Sequence, residues 1–152
     1  MANTQAMCTS FMSELMTATH NFTTGTGNSF KAALYLASAT VDAATTVYST
    51  TGEVTGTNYS PGGVAVTNGT SPTAANASAT AGVAYWTPTA SLTYTNVTLT
   101  TAFDAVLIYN SSASNKAVSV HTFGSQTVTA GTFTLTMPSN TTSTALLRLA
   151  TT

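Results

Sequence analysis

Asp104, His121 and any one of the many serines are the residue types of a charge-relay triad, in which a carboxylate orients an imidazole that takes the proton of an attacking hydroxyl. No Gly-x-Ser-x-Gly elbow presents a serine for that task. In a chain so rich in hydroxyls, such a trio follows from composition alone. Cys8, His20 and His121 carry metal-binding donor atoms, but their spacing fits no zinc pattern. Each has a plainer place, His20 at a helix end and His121 on a strand. Glycoside hydrolysis needs two carboxyls across a cleft, and calcium needs several acids close together. Glu14, Asp42, Glu53 and Asp104 are far apart in sequence. With Glu14 on a polar helix face and Glu53 in a turn, they read as isolated, solvated carboxylates. Gly25-Thr26-Gly27 precedes a strand, where a dinucleotide loop would follow one. These patterns predict no catalytic, cofactor-binding or metal-binding residue, and a role other than catalysis.

The residues with chemistry left to offer are apolar and aromatic. Met12 and Met16 widen the apolar stripe of the N-terminal segment and, with Met7 and Phe11, make a soft face suited to packing or docking. Tyr59 and Trp86 join Met12 and Met16 as candidate partner contacts. Trp86, Tyr85, Tyr48 or Tyr59 would also serve as the stacking platform of a glycan-binding module.

The elements that must position these residues follow from periodicity. Met7, Phe11, Leu15, Ala18 and Phe22 recur at helical spacing and predict one helix over 4–20, capped by Asn3 or Thr4, or by Thr9 or Ser10 if shorter. His20 would lie in its last turn, and Asn21 would take a left-handed end. Residues 29–40 then alternate: Phe30, Ala32, Leu34 and Leu36 against Lys31, Ala33, Tyr35 and Ala37. That period of two marks a strand with a bulky face and a smaller, still mostly apolar one, around which the other strands are organised. Strand fragments follow at Val47-Tyr48, Glu53-Val54 and 64–66, separated by turns at Gly52, Gly56 and 61–63. Residues 69–82 are small and of low complexity, and predict a long surface loop. Strands follow near 83–87, 92–99, 117–123, 133–137 and 145–149, and the nearly continuous apolar run 103–109 predicts a central buried strand. Short strands punctuated by turns predict a single domain over 1–152: an antiparallel, jelly-roll-like β-sandwich over 29–150 with one N-terminal helix.

Composition narrows the function further. Thr makes up about a quarter of the chain and suits strands whose outer faces carry hydroxyls. Charged residues are 5% of the chain, against roughly 25% in a typical soluble protein. Three basic residues and a net charge of -1 build no basic patch, which disfavours nucleic-acid binding. Nothing in such a surface repels copies of itself, and an interface made from it has few ions to desolvate. That suits a subunit of an assembly, a homo-oligomer included. One cysteine allows no intrachain disulfide. The opening MANTQAMCTS lacks the basic and apolar regions of a secretory signal, and no apolar run approaches the ~18 residues of a membrane span.

The order of landmarks carries a resemblance. A segment SFMSELMTATHNF leads to SFKAALYLASAT, then TGEVTGTNYSPGG, the buried FDAVLIYN, NKAVSVHTFGS, and a closing GTFTLTMP with LLRLA. Over most of the chain this order resembles small β-rich virion proteins of tailed bacteriophages, of the head-decoration (cement) or tail-associated kind. The resemblance implies a structural role beside the major capsid protein or other virion subunits. It also implies synthesis in the host cytoplasm and release by lysis, and it carries no functional residues with it.

Overall fold

The computed structural model describes residues 2–77 and 81–151. Strand β2 (Phe30–Leu36) lies beside the central strand of the larger sheet and is not itself the centre expected of it. It pairs antiparallel along its length with β6 (Leu92–Asn110), from Phe30 opposite Asn110 to Tyr35 opposite Ala105. Strands β6 and β7 (Lys116–Leu135) form one long hairpin. Ser114 and Asn115, at φ 51° and 58°, supply the left-handed residues that match a tight turn to the twist of its strands. Short strands β1 (Ala6–Met7) and β3 (Val64–Ala65) complete the order β1-β7-β6-β2-β3. A second sheet has the order β4-β5-β8, from Thr73–Ala77, Ala81–Trp86 and Leu147–Ala150. Among the described residues every pairing is antiparallel, and the architecture is a mostly-β, two-sheet sandwich with a single short helix, α1 (Thr9–Met16).

Both faces of β2 are covered, as a bulky and a small apolar face require. Leu34, Ala33, Leu107 and Val120 have no exposed surface. On the Phe30 face lie Phe22, stacked on Phe30 at 4.3 Å, and then Trp86. On the Tyr35 face, Tyr48 stacks on Tyr109 at 4.6 Å. The hairpin does not run straight. Its register shifts repeatedly between Tyr94 and Ala105, with Asn96 and Ala130 at φ 53° and 45°. Bulges bend and twist a ribbon. Here they fold its far half back far enough for the Tyr94 hydroxyl to donate to the Ala32 carbonyl at 2.9 Å.

Three expectations are corrected. The helix spans Thr9–Met16, not 4–20. Ala6 and Met7 pair with Val120 and Ser119 of β7, and a residue in a ladder cannot also be helical. Its N-cap is Cys8, with no side-chain cap bond. Asn3 is spent elsewhere: its amide nitrogen donates to Leu36 O and Asp104 Oδ1, and its oxygen accepts from Val41 N. The left-handed residue past the helix is Ala18, at φ 55°, rather than Asn21. The stretch 69–82 is not one loop, because Thr73–Ala77 forms β4 and β5 begins at Ala81; residues 78–80 lie outside those described. Small β-compatible residues sufficed once a partner strand lay beside them. Finally, 117–123 and 133–135 belong to one strand, continued through threonines and glycines.

Candidate docking groove

Helix α1 is amphipathic in the ordinary sense: Phe11 faces inward, and Leu15 follows one turn later. Between that face and the smaller sheet is an apolar groove of about 140 Å³. Met7, Phe11, Leu15 and Phe22 form one wall, and Trp86, Leu147 and Leu149 the other. Met12 and Met16 are 45% and 83% exposed on the next helical positions, and Leu149 is 45% exposed on β8. Three of the four large exposed hydrophobics among the described residues therefore sit on the two elements that wall the groove; the fourth, Val47, is elsewhere. An apolar concavity of this kind is a candidate contact site, as singly scattered exposed hydrophobics are not.

The predicted contact residues separate here. Met12 and Met16 are exposed on the helix that walls the groove, and do not line it. Trp86 reaches it only as part of its wall: it is 2% exposed, and its indole nitrogen donates to Asn68 Oδ1 at 3.0 Å and Thr70 O at 3.1 Å. Tyr59 is 9% exposed and lies in a different cluster. Neither ring offers a free face for stacking, so the glycan platform built on Trp86 and Tyr59 does not form. Their bulk is worth more to the core than to the surface.

A polar chain holds the C-terminal half of the helix. Lys116 Nζ donates to Glu14 Oε1 at 2.5 Å, and His20 Nε2 meets Glu14 Oε2 at 2.7 Å. His20 Nδ1 lies 3.0 Å from the Asn110 amide nitrogen, which also donates to Asn28 Oδ1 at 2.9 Å. With Asn110 as donor to Nδ1, the imidazole proton rests on Nε2 and points at Glu14. Burial pushes the Glu14 carboxyl up, but hydrogen bonds from Lys116 and His20 outweigh it and hold the group below its ordinary value. Glu14 is thus a structural clamp and not a solvated carboxylate, and the His20 side chain has no exposed surface from which to serve a substrate.

Glu53 departs furthest from its sequence reading. It is 5% exposed. Its Oε1 accepts from Tyr59 Oη at 2.8 Å and Gly62 N at 2.7 Å, and its Oε2 accepts from Tyr48 Oη at 2.6 Å. Tyr59 Oη accepts in turn from Leu34 N at 3.0 Å, and Tyr109 Oη donates to Gly62 O at 2.9 Å. Burial first, and then the bonded Glu53 carboxylate, push the Tyr48 and Tyr59 phenols above their ordinary range. Two phenols and a backbone amide engage both carboxylate oxygens and pin residues 48–62 to the β2 edge. A carboxylate so buried and so engaged is poorly placed to take a proton from a substrate.

The triad residues do not converge. Asp104 accepts from Asn3 at 2.6 Å, whereas His121 Nε2 pairs with Ser119 Oγ at 2.9 Å, and no carboxylate among the described residues bonds the His121 ring. Burial pushes His121 down to about 4. Among the described residues, no three His, Cys, Asp or Glu side chains gather as metal ligands. The Cys8 thiol has no exposed surface and is pushed up to about 12 by burial, then by Asp42 and Glu14, which leaves it unreactive. No rule of spacing links 48, 53, 59 and 62, or 14, 20, 110 and 116, so sequence reasoning had no signal for either polar cluster.

No family model, curated protein or solved structure matches the chain.

Proposed function

We propose that the protein is a structural protein of a bacteriophage virion, a head-decoration protein that binds the assembled shell and reinforces it. The observation that carries this reading is the apolar groove walled by the helix that bears the exposed Met12 and Met16, in a chain with only seven formally charged side chains, three basic and four acidic. Such a surface gains by burying apolar and hydroxyl area against a neighbour and has few charges to desolvate in doing so. The order of sequence landmarks supports the particle over other assemblies. A decoration protein binds the assembled shell better than free capsid subunits, since its contact surface spans neighbours that assembly alone brings together, and preferential binding stabilises the bound state. High copy number turns small energies per subunit into a large total.

Heads depleted of the protein are expected to assemble, to release DNA at a lower temperature than complete heads, and to regain resistance when purified protein is added back. Depleted heads as robust as complete ones, with the protein found on tails, would move the assignment to a tail, neck or fibre component.

A further inference from the structure

The outer edge of β7 is the largest unfinished feature of the fold. Strand β1 pairs with β7 only at Ser119 and Val120, and Cys8 N bonds Val118 O. Beyond them, residues 121–135 bond through their backbone to no described segment other than β6. That leaves a row of peptide donors and acceptors whose natural partner is another extended chain. Protected edges usually carry a lysine, a proline, an inward charge or a bulge that turns the edge away. Only the bulge, at Ala130, is present here: residues 117–147 contain no Lys, Arg, Asp or Glu, and Pro138, the first proline after Pro88, lies past the strand.

The pattern along this edge selects the occupant. Thr127, Thr129, Thr132 and Thr134 are exposed, whereas Val128, Gly131, Phe133 and Leu135 are half-buried on the inner side. The alternation changes phase once, at Ala130, whose φ of 45° marks it as the extra residue of a bulge, and whose amide donates to Thr98 Oγ1 at 3.0 Å. With Ala130 set aside, Thr-Val-Thr-Gly-Thr-Phe-Thr is a chemical palindrome centred on Gly131. A two-fold axis relates a strand to an antiparallel copy of itself. Placed through Gly131, it sets Thr127 opposite Thr134, Val128 opposite Phe133, and Thr129 opposite Thr132. Hydroxyl meets hydroxyl on the outer face, and apolar side chain meets apolar on the inner. At the axis itself there is no side chain to hold the strands apart.

We infer that the free edge of β7 from Thr127 to Thr134 pairs antiparallel with the same edge of a second copy of this chain, about a two-fold axis at Gly131. The pairing joins two larger sheets into one and covers the open flanks of Val128 and Phe133. It rests on the edge and its palindrome, and holds whichever particle or surface the dimer serves.

Because Thr129 faces the partner's Thr132, charges test the register. In the full chain, T129K/T132K sets lysine against lysine at two symmetric rungs, and T129E/T132E sets glutamate against glutamate. Each is expected to weaken the dimer about tenfold or more, as read by sedimentation equilibrium. T129K/T132E places opposite charges at those same rungs and is expected to remain dimeric, as is an equimolar mixture of the all-lysine and all-glutamate variants. Thermal unfolding of each variant at a concentration that keeps it monomeric separates a folding defect from lost association. A wild-type chain that stays monomeric up to millimolar concentration overturns the inference. So does dimerisation that T129K/T132K leaves intact, or that T129K/T132E abolishes.

Discussion

The two faces of β2 are closed in different ways. On the Tyr35 face and along the neighbouring strand edge, the covering segment is held by hydrogen bonds that converge on one carboxylate, Glu53, with Tyr48, Tyr59 and the Gly62 amide as donors. On the Phe30 face, Phe11, Phe22 and Trp86 pack edge and face, and the closure is incomplete: a groove of about 140 Å³ remains between helix and sheet. A saturated polar cluster admits one geometry, because any displacement leaves a buried group unpaired. Apolar packing is non-directional and tolerates a gap that a partner can fill. The Tyr35 face is pinned by bonds that converge on one group, whereas the Phe30 face keeps a gap.

Removing the pin tests this contrast most strongly. Glu53→Ala leaves the buried Tyr59 phenol, the half-buried Tyr48 phenol and a backbone amide without that acceptor, and is expected to cost about 3 kcal/mol in chemical denaturation. Leu34→Ala, a pure cavity mutation beneath the Phe30 face, is expected to cost roughly 2–5 kcal/mol. The two differ in the covering segment. Hydrogen exchange should quicken locally over residues 48–62 in Glu53→Ala and rise only with global stability in Leu34→Ala. Equal and uniform exchange in both variants would remove the distinction between pinned and packed.

A smaller effect, through pH, is expected on the packed side. His121 lies opposite Val106, which pairs with Leu34, and burial holds its ring down at about 4 against an ordinary 6.5. Above 6.5 the ring is neutral in folded and unfolded chains alike, and costs nothing. As pH falls from 6.5 toward 4, the unfolded chain takes up a proton that the folded one refuses, so stability falls through that window and levels off below it. Thermal unfolding should record this loss, and His121→Gln should flatten it. Glu14, whose carboxyl is held below its ordinary value, gives a separate loss at more acidic pH that His121→Gln leaves in place. An unchanged slope in His121→Gln would assign the acid sensitivity elsewhere.

The smallest effect on folding is expected at the groove rim. Met16 is 83% exposed, and Met16→Ser should leave stability within about 0.5 kcal/mol of wild type. Under the proposed function, the same variant binds depleted heads more weakly. Wild-type binding by Met16→Ser together with Met12→Ser would place the contact away from the groove.

Periodicity alone was enough to determine β2, the buried run 103–109 within β6, and the two-sheet antiparallel class. A period of two with apolar residues on both faces has few other solutions. Composition determined the neutral, threonine-rich surface. The sequence also marked Met12 and Met16 as candidate contacts; both are exposed on α1, and neither lines the groove. Tertiary structure decided the rest. It shortened the helix, because Ala6 and Met7 have a strand to pair with that no local rule reveals. It turned part of the stretch 69–82 into β4, because a partner strand outweighs weak local preference. It buried Tyr59 and Trp86, which were expected at the surface, and made a clamp of Glu53, which sits in a turn-rich segment. The physical reason is common to all of these. Local pattern sets which face of an element is apolar, whereas the partner of a buried polar group is chosen by contacts between residues far apart in the chain, as between Lys116 and Glu14 or Tyr94 and Ala32.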